Sequence, residues 1–255
     1  DGLMRWLLLG CGAFMLLALL LPVGMILVRS LQDSNGVFVG LANYHSYFST
    51  GSPWQSMRNS LLVSSITTVI VVVLAFAYAY ALTRTQMRWR GFFRVMALVP
   101  LLSPSLLKAI GLVYWFGNKG LLKGVLMGES VYGPIGIIMS CTLWTFPHAV
   151  LIMITALTLA DARIYEAAAV LRTSGPRTFF RITLPAVRYG LIGAAIVVFV
   201  NVFTDFGAAK VIGGSYNVLA TDIYKEVVGQ QNFSMGAVVS VVLLVPAVFA
   251  FVLER

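Results

Sequence analysis

Residues 59–83 read NSLLVSSITTVIVVVLAFAYAYALT, a stretch with no charged side chain. A helix rising ~1.5 Å per residue crosses the ~30 Å hydrocarbon core of a bilayer in about 20 residues, so this run is long enough to span. Lipid cannot satisfy backbone N–H and C=O groups, and a helix satisfies its own. Barrel strands would alternate apolar and polar residues, whereas the Val-Ile-Val-Val-Val segment is apolar on every side. Working outward, similar runs occupy 6–28, 95–118 (interrupted by Lys108), 130–160, 189–204 (continuing to Ala209 apart from Asp205) and 227–253. Six runs predict six transmembrane helices in an all-α membrane protein. The first follows Arg5 as a signal peptide would. It is too long for one, and no small-residue cleavage site follows it, so it reads as a retained helix.

Composition agrees. The chain has 255 residues, 59% hydrophobic and 11% charged, with mean hydropathy +0.90. Soluble domains carry about 25% charged residues. So few charges exclude a soluble enzyme, a disordered chain and a typical nucleic-acid binder, although the net charge is +9. Cys11 and Cys141 both lie inside apolar runs, which points to neither a disulfide framework nor a metal site. No repeat or low-complexity linker divides residues 1–255. They form one transmembrane domain: a first helix and external loop over 1–58, and a core over 59–255.

The loops set an orientation. One side of the six-helix arrangement holds Arg5, the Arg84–Arg94 and Arg163–Arg188 groups and Arg255; the other holds Arg29, Arg58 and the lysines except Lys108. The positive-inside rule puts the arginine-rich side, with both termini, in the cytoplasm.

The fourth-to-fifth loop, on that side, reads DARIYEAAAVLRTSGPRTFFRITLP over 161–185. Glu166 to Arg172 contains strong helix formers. Gly175-Pro176 is a stop and turn signal. Arg177 to Ile182 forms a second short helical piece. The result is a helix-turn-helix elbow in water with a small alanine face. One reading is a solvated connector. The other is a docking element whose glutamate and arginines make charge-assisted contacts with a partner.

This loop resembles the EAA loop of binding-protein-dependent ABC importer permeases of type I (maltose/molybdate-type) fold. Glu166, Ala167 and Ala168 match one end of the motif, and Ile182, Leu184 and Pro185 the other. Arg172 stands at the position of the family's glycine, and Gly175 is expected to take over the turn. Gly40-Leu41-Ala42-Asn43-Tyr44 resembles the family's GLxNY element, Asn59-Ser60 its helix-2 opening, and Pro100 and Pro104 its proline-containing helix 3. The resemblance implies an inner-membrane permease that does no chemistry and needs no cofactor of its own. The implied partners are two cytoplasmic ATPase subunits docked on the elbow, an external solute-binding protein and a second permease half, with membrane lipid around them and no nucleic acid. The chain has no GxxxxGK[ST] sequence, so ATP is assigned to a partner. A single EAA loop, and a chain ending directly after helix 6, suggest the N-terminal half of a fused two-half permease.

Polar residues inside a membrane are costly and usually face protein or water. Lys108, His148, Asn201 and Asp205 are the candidate solute-path residues. Lys108 either attracts an anion or snorkels to a helix end. Asp205 either pairs with Lys108 or with a cationic solute group, or caps structure. His148 follows Pro147 and is placed to satisfy a carbonyl about one turn earlier. No residue is assigned to a metal. The tract from Thr204 to Tyr224, with Gly229 to Gly236, resembles the 2-aminoethylphosphonate and iron(III) permeases. The phosphonate zwitterion suits a Lys108–Asp205 pair, with iron(III) as the alternative. A secondary, ion-coupled transporter is the rival class. It would show inverted repeats or paired broken helices, and the sequence displays neither.

Overall fold

Apolar length builds the frame. The computed structural model describes residues 2–253; Asp1, Glu254 and Arg255, the last counted above among the cytoplasmic charges, lie outside the described residues. Four long helices carry an apolar window able to cross a membrane: α1 (Gly2–Ser30), α3 (Ser52–Arg84), α6 (Pro134–Leu159) and α13 (Phe233–Leu253). Between α1 and α3 lies the short α2 (Ala42–Ser49).

The other two predicted spans are not straight. In place of one helix over 95–118, α4 (Arg90–Leu98) continues through a 3-10 turn to Leu102, breaks, and resumes as α5 (Ser105–Phe116) at 100°. Pro104, at the break, fixes its own φ and biases Ser103 to the extended conformation that Ser103 adopts here. In place of a simple helix over 189–204, a segment over Gly175–Ala186 meets α10 (Arg188–Phe203) at 62°. The sequence shows no paired broken helices; the structure has two. With each pair taken as one span the count is the expected six.

The elbow comprises α7 (Ala162–Val170), α8 (Gly175–Thr178), a π-helical turn (Phe179–Thr183) and α9 (Leu184–Ala186). Pro185 does not end the second piece as the sequence suggests. The preceding π turn accommodates the ring and the missing donor, and the helix continues past it. Beyond α10 come α11 (Gly207–Ile212), α12 (Leu219–Tyr224) and a second π turn to Gly229, then α13.

The core is the triangle of α3, α6 and α10, filled by Val71, Ala75, Ala79, Val150, Met153, Ala194 and Val198, all fully buried. Small residues let backbones approach where no hydrophobic drive separates helix from lipid. Gly133 at φ +116 heads α6, and its N–H donates to the Ile212 carbonyl at 2.8 Å, fixing α6 to the end of α11. Outside this triangle, α1 packs on α13, and its apolar window is otherwise bare.

Candidate functional site: a coupling elbow and a polar cluster

Asp161 starts the elbow. Its carboxylate accepts the Arg163 N–H at 2.9 Å, so α7 begins four residues earlier than Glu166. The helix ends in a Schellman turn: Thr173 N–H donates to the Ala168 carbonyl at 2.9 Å and Arg172 N–H to the Ala169 carbonyl at 3.0 Å. Arg172 occupies the left-handed position of that turn, at φ +49. The expectation that Gly175 takes over the turn is corrected: Gly175 simply opens α8, and the arginine itself adopts the glycine-favouring conformation. A left-handed non-glycine residue costs roughly 1–2 kcal/mol. Arg172→Gly is therefore expected to stabilise the permease by about 1 kcal/mol, a rise in Tm of about 2–4 °C in detergent. An unchanged or lower Tm would mean the arginine side chain offsets its backbone cost.

The alanine pair divides. Ala167 is exposed with Glu166, whereas Ala168 is buried within the chain and does not face outward as the motif suggests. The elbow also exposes apolar residues the sequence reading left out: Val170, 83% exposed, and Leu171, 77%, at the end of α7, and Phe180, 65%, in the π turn. Ile182 and Leu184 are half-buried and Pro185 is exposed.

The elbow is tied back to α3. The Arg84 guanidinium donates to the Leu157 carbonyl at 2.7 Å, near the end of α6, and lies 4.1 Å over the Tyr165 ring. The Tyr165 hydroxyl donates to Thr183 Oγ1 at 3.2 Å. Phe179 meets Phe76 and Tyr80 edge-on at 5.8 and 5.7 Å. Arg84 is thus half-buried at a joint rather than free in a loop.

Of the solute-path candidates, Lys108 and His148 come together, through a residue the sequence reading missed. Trp144 lies one turn before His148. Its ring receives the Lys108 ammonium at 5.4 Å and the His148 ring edge-on at 4.9 Å. Lys108 also donates to the Ser103 carbonyl exposed by the α4–α5 break. His148 Nδ1 is 3.3 Å from the Trp144 carbonyl, one turn back, as the satisfied-histidine reading expects. Asp205 caps α11, accepting the Ala208 N–H at 2.8 Å. It makes no ion pair with Lys108, which corrects that expectation; among the described residues one pair, Lys225–Asp222 at 3.6 Å, falls within 4.0 Å. Asn201 is half-buried on α10, with no hydrogen bond to the other three. Among the described residues no three His, Cys, Asp or Glu side chains converge as a metal site.

On the opposite end of α3 a polar latch holds the segment before α12. Asn59 donates to the Asn217 carbonyl at 2.8 Å, and Ser60 accepts the Leu219 N–H at 2.9 Å. Lys225 reaches both Asp222 and the Asn217 side chain. Burial raises the Asp222 carboxyl above its ordinary range, the Lys225 charge pulling the other way. The neighbouring Tyr47 phenol is pushed up by burial and by Asp222 and Glu226.

Four long apolar helices, two bent helix pairs and a capped helix between α6 and α8 make an all-helical bundle with up to six candidate membrane spans. Residues 72–255 match the binding-protein-dependent transport system inner membrane component, and the chain belongs to that family. It is a multi-pass inner-membrane permease and not itself catalytic. It is 27% identical over 241 residues to a putative ferric transport system permease protein (FbpB 1) of Haemophilus influenzae, covering 86% of this chain and 38% of that protein. It is 26% identical to the ferric transport system permease protein FbpB of Actinobacillus pleuropneumoniae, covering 77% of this chain and 30% of that one. The chain thus spans about a third of the length of these relatives. A bacterial ABC transporter that imports the acidic polysaccharide alginate shares the fold, with a TM-score of 0.79 at 17% identity over 100% of this chain and 96% of that one.

Proposed function

We propose that this chain is the permease half of an ATP-driven importer that moves iron(III) delivered by a binding protein. The observation that carries the transport reading is the elbow: the capped helix α7, exposing Glu166, Ala167 and Val170, with Leu171 exposed at its end and Phe180 in the following π turn. Such a face fits a groove on a cytoplasmic ATPase subunit. Glu166, Ala167, Arg172 and Gly175 line its outer side, while Ala168, Ile182, Leu184 and Pro185 hold its shape. ATP is bound by that partner. On this reading both termini and the elbow are cytoplasmic and the 29–58 and 204–232 loops are external, facing the binding protein. The ferric relatives are far longer than the matched region, which supports a second half alongside this one.

Iron(III) is favoured over 2-aminoethylphosphonate on two grounds. The two ferric permeases carry the solute in their names. The two charges that suited a zwitterion form no ion pair within 4.0 Å, and each has another partner: Lys108 bonds a carbonyl and Asp205 caps a helix. Lys108, Trp144 and His148 form a stacked cluster rather than a ligand cage, and a solute in transit needs only weak contacts. Deleting the gene is expected to abolish uptake of radiolabelled iron(III) by chelator-starved cells and to leave growth on 2-aminoethylphosphonate unchanged. Unchanged iron uptake with no redundant importer would reject the solute and leave the permease reading intact.

A further inference from the structure

We propose that Phe76, Tyr80 and Arg84 form a seat that makes the elbow and helix α3 one moving body, with Arg84 as its positioning residue. The inference rests on reading the elbow as the ATPase-coupling element.

The three residues are spaced by four along α3 and so share one face of its cytoplasmic end. Together they meet two parts of the elbow and the end of α6. Phe76 and Tyr80 hold Phe179, at the start of the π turn, between them. Arg84 stacks on Tyr165 in α7, and Tyr165 in turn bonds Thr183, which is buried at the end of the π turn. The same guanidinium holds the Leu157 carbonyl, one of the acceptors that α6 leaves unsatisfied near its end. One planar, multi-donor side chain therefore joins α3, α6 and α7, a task a lysine's single ammonium could not perform with the same geometry. Beside the seat an open apolar pocket of about 480 Å3 is lined by Phe76, Tyr80 and Phe179 together with Leu184 and Leu191. The aromatic and guanidinium contacts of the seat are what grip the elbow from α3.

The force from ATP-driven closure thus enters the bundle through α3. Transport complexes reconstituted with their ATPase subunits test this, with Cys11 replaced and paired spin labels at positions 163 and 69, or 163 and 245. Positions 69 and 245 are exposed on α3 and α13. The 163–69 distance is expected to stay narrow and fixed on adding ATP while the 163–245 distance changes. Arg84→Gln should broaden the 163–69 distribution, make it nucleotide-dependent and lower uptake roughly tenfold, with ATPase co-purification retained. Tyr165→Phe, which keeps the ring under Arg84, should keep a narrow distribution where Tyr165→Leu does not. If Arg84→Gln fails to assemble, the two Tyr165 variants carry the same comparison. A 163–69 distance that moves as much as 163–245 in the unaltered complex, or one that stays narrow in Arg84→Gln, would overturn the seat. An absence of nucleotide response in both pairs, or loss of the ATPase from the unaltered complex, would sink the coupling reading and the seat with it.

Discussion

Leu171→Asp is expected to abolish ATP-driven uptake, by at least a hundredfold, while the permease inserts and melts as before. Leu171 is 77% exposed beside Val170, so its replacement costs the isolated chain little. In the proposed complex the same position is buried against the ATPase subunit. An uncompensated carboxylate in an apolar contact costs several kcal/mol, and about 2.7 kcal/mol already equals a hundredfold in affinity. Co-purification of the ATPase with Leu171→Asp measures the loss. Ala167→Trp, also on the exposed face, should act in the same way. Ala168→Trp should differ in kind, because that alanine is buried inside the chain and a bulky residue there lowers Tm before it touches docking. Normal ATPase recovery with Leu171→Asp and Ala167→Trp would remove α7 as the dock.

Gly190→Leu is expected to destabilise the bundle by about 3 kcal/mol, a fall in Tm of about 6–12 °C. Gly190 begins α10 against α6, and a Cβ built there collides with the Ala156 Cβ and reaches Met153 Cε at 3.9 Å. Alanine has no rotamer by which to retreat, so two backbones must part. The damage falls at the first turn of α10, where it packs on α6. Thermal unfolding in detergent decides it. A Tm within 2 °C of the parent would show that the α6–α10 contact yields more readily than its geometry implies.

The spans were legible because lipid imposes one strong requirement, and uncharged runs long enough to cross are rare by chance. Their breaks were not. Pro104 gives notice of one, but a 100° turn depends on α5 packing against α11 at Gly207, where a Cβ would lie 2.6 Å from Ser105 Oγ. The elbow's two ends could be read from Glu166-Ala167-Ala168 and Ile182 to Pro185. The turn between them could not, because the left-handed residue proved to be an arginine rather than a glycine. Lys108 and His148 were found as isolated polar residues. Trp144, which joins them, was hidden among apolar neighbours, although its spacing of four from His148 is the available signal. Arg84 looked like one more cytoplasmic charge, since sequence position shows a helix end but not what lies across from it.

Helix α3 contains 33 residues, about 50 Å of helix against ~30 Å of hydrocarbon. It therefore overhangs the bilayer at its ends, with Asn59 and Ser60 toward one and Arg84 at the other. Such a helix acts as a strut of fixed length between two aqueous phases. Thicker membranes, made from longer acyl chains, would swallow part of the overhang or stand the strut more upright, drawing the Arg84 end toward the headgroups. Hydrophobic mismatch thereby becomes a setting of the coupling geometry, and the same permease should work at different efficiency in bilayers that differ only in acyl-chain length.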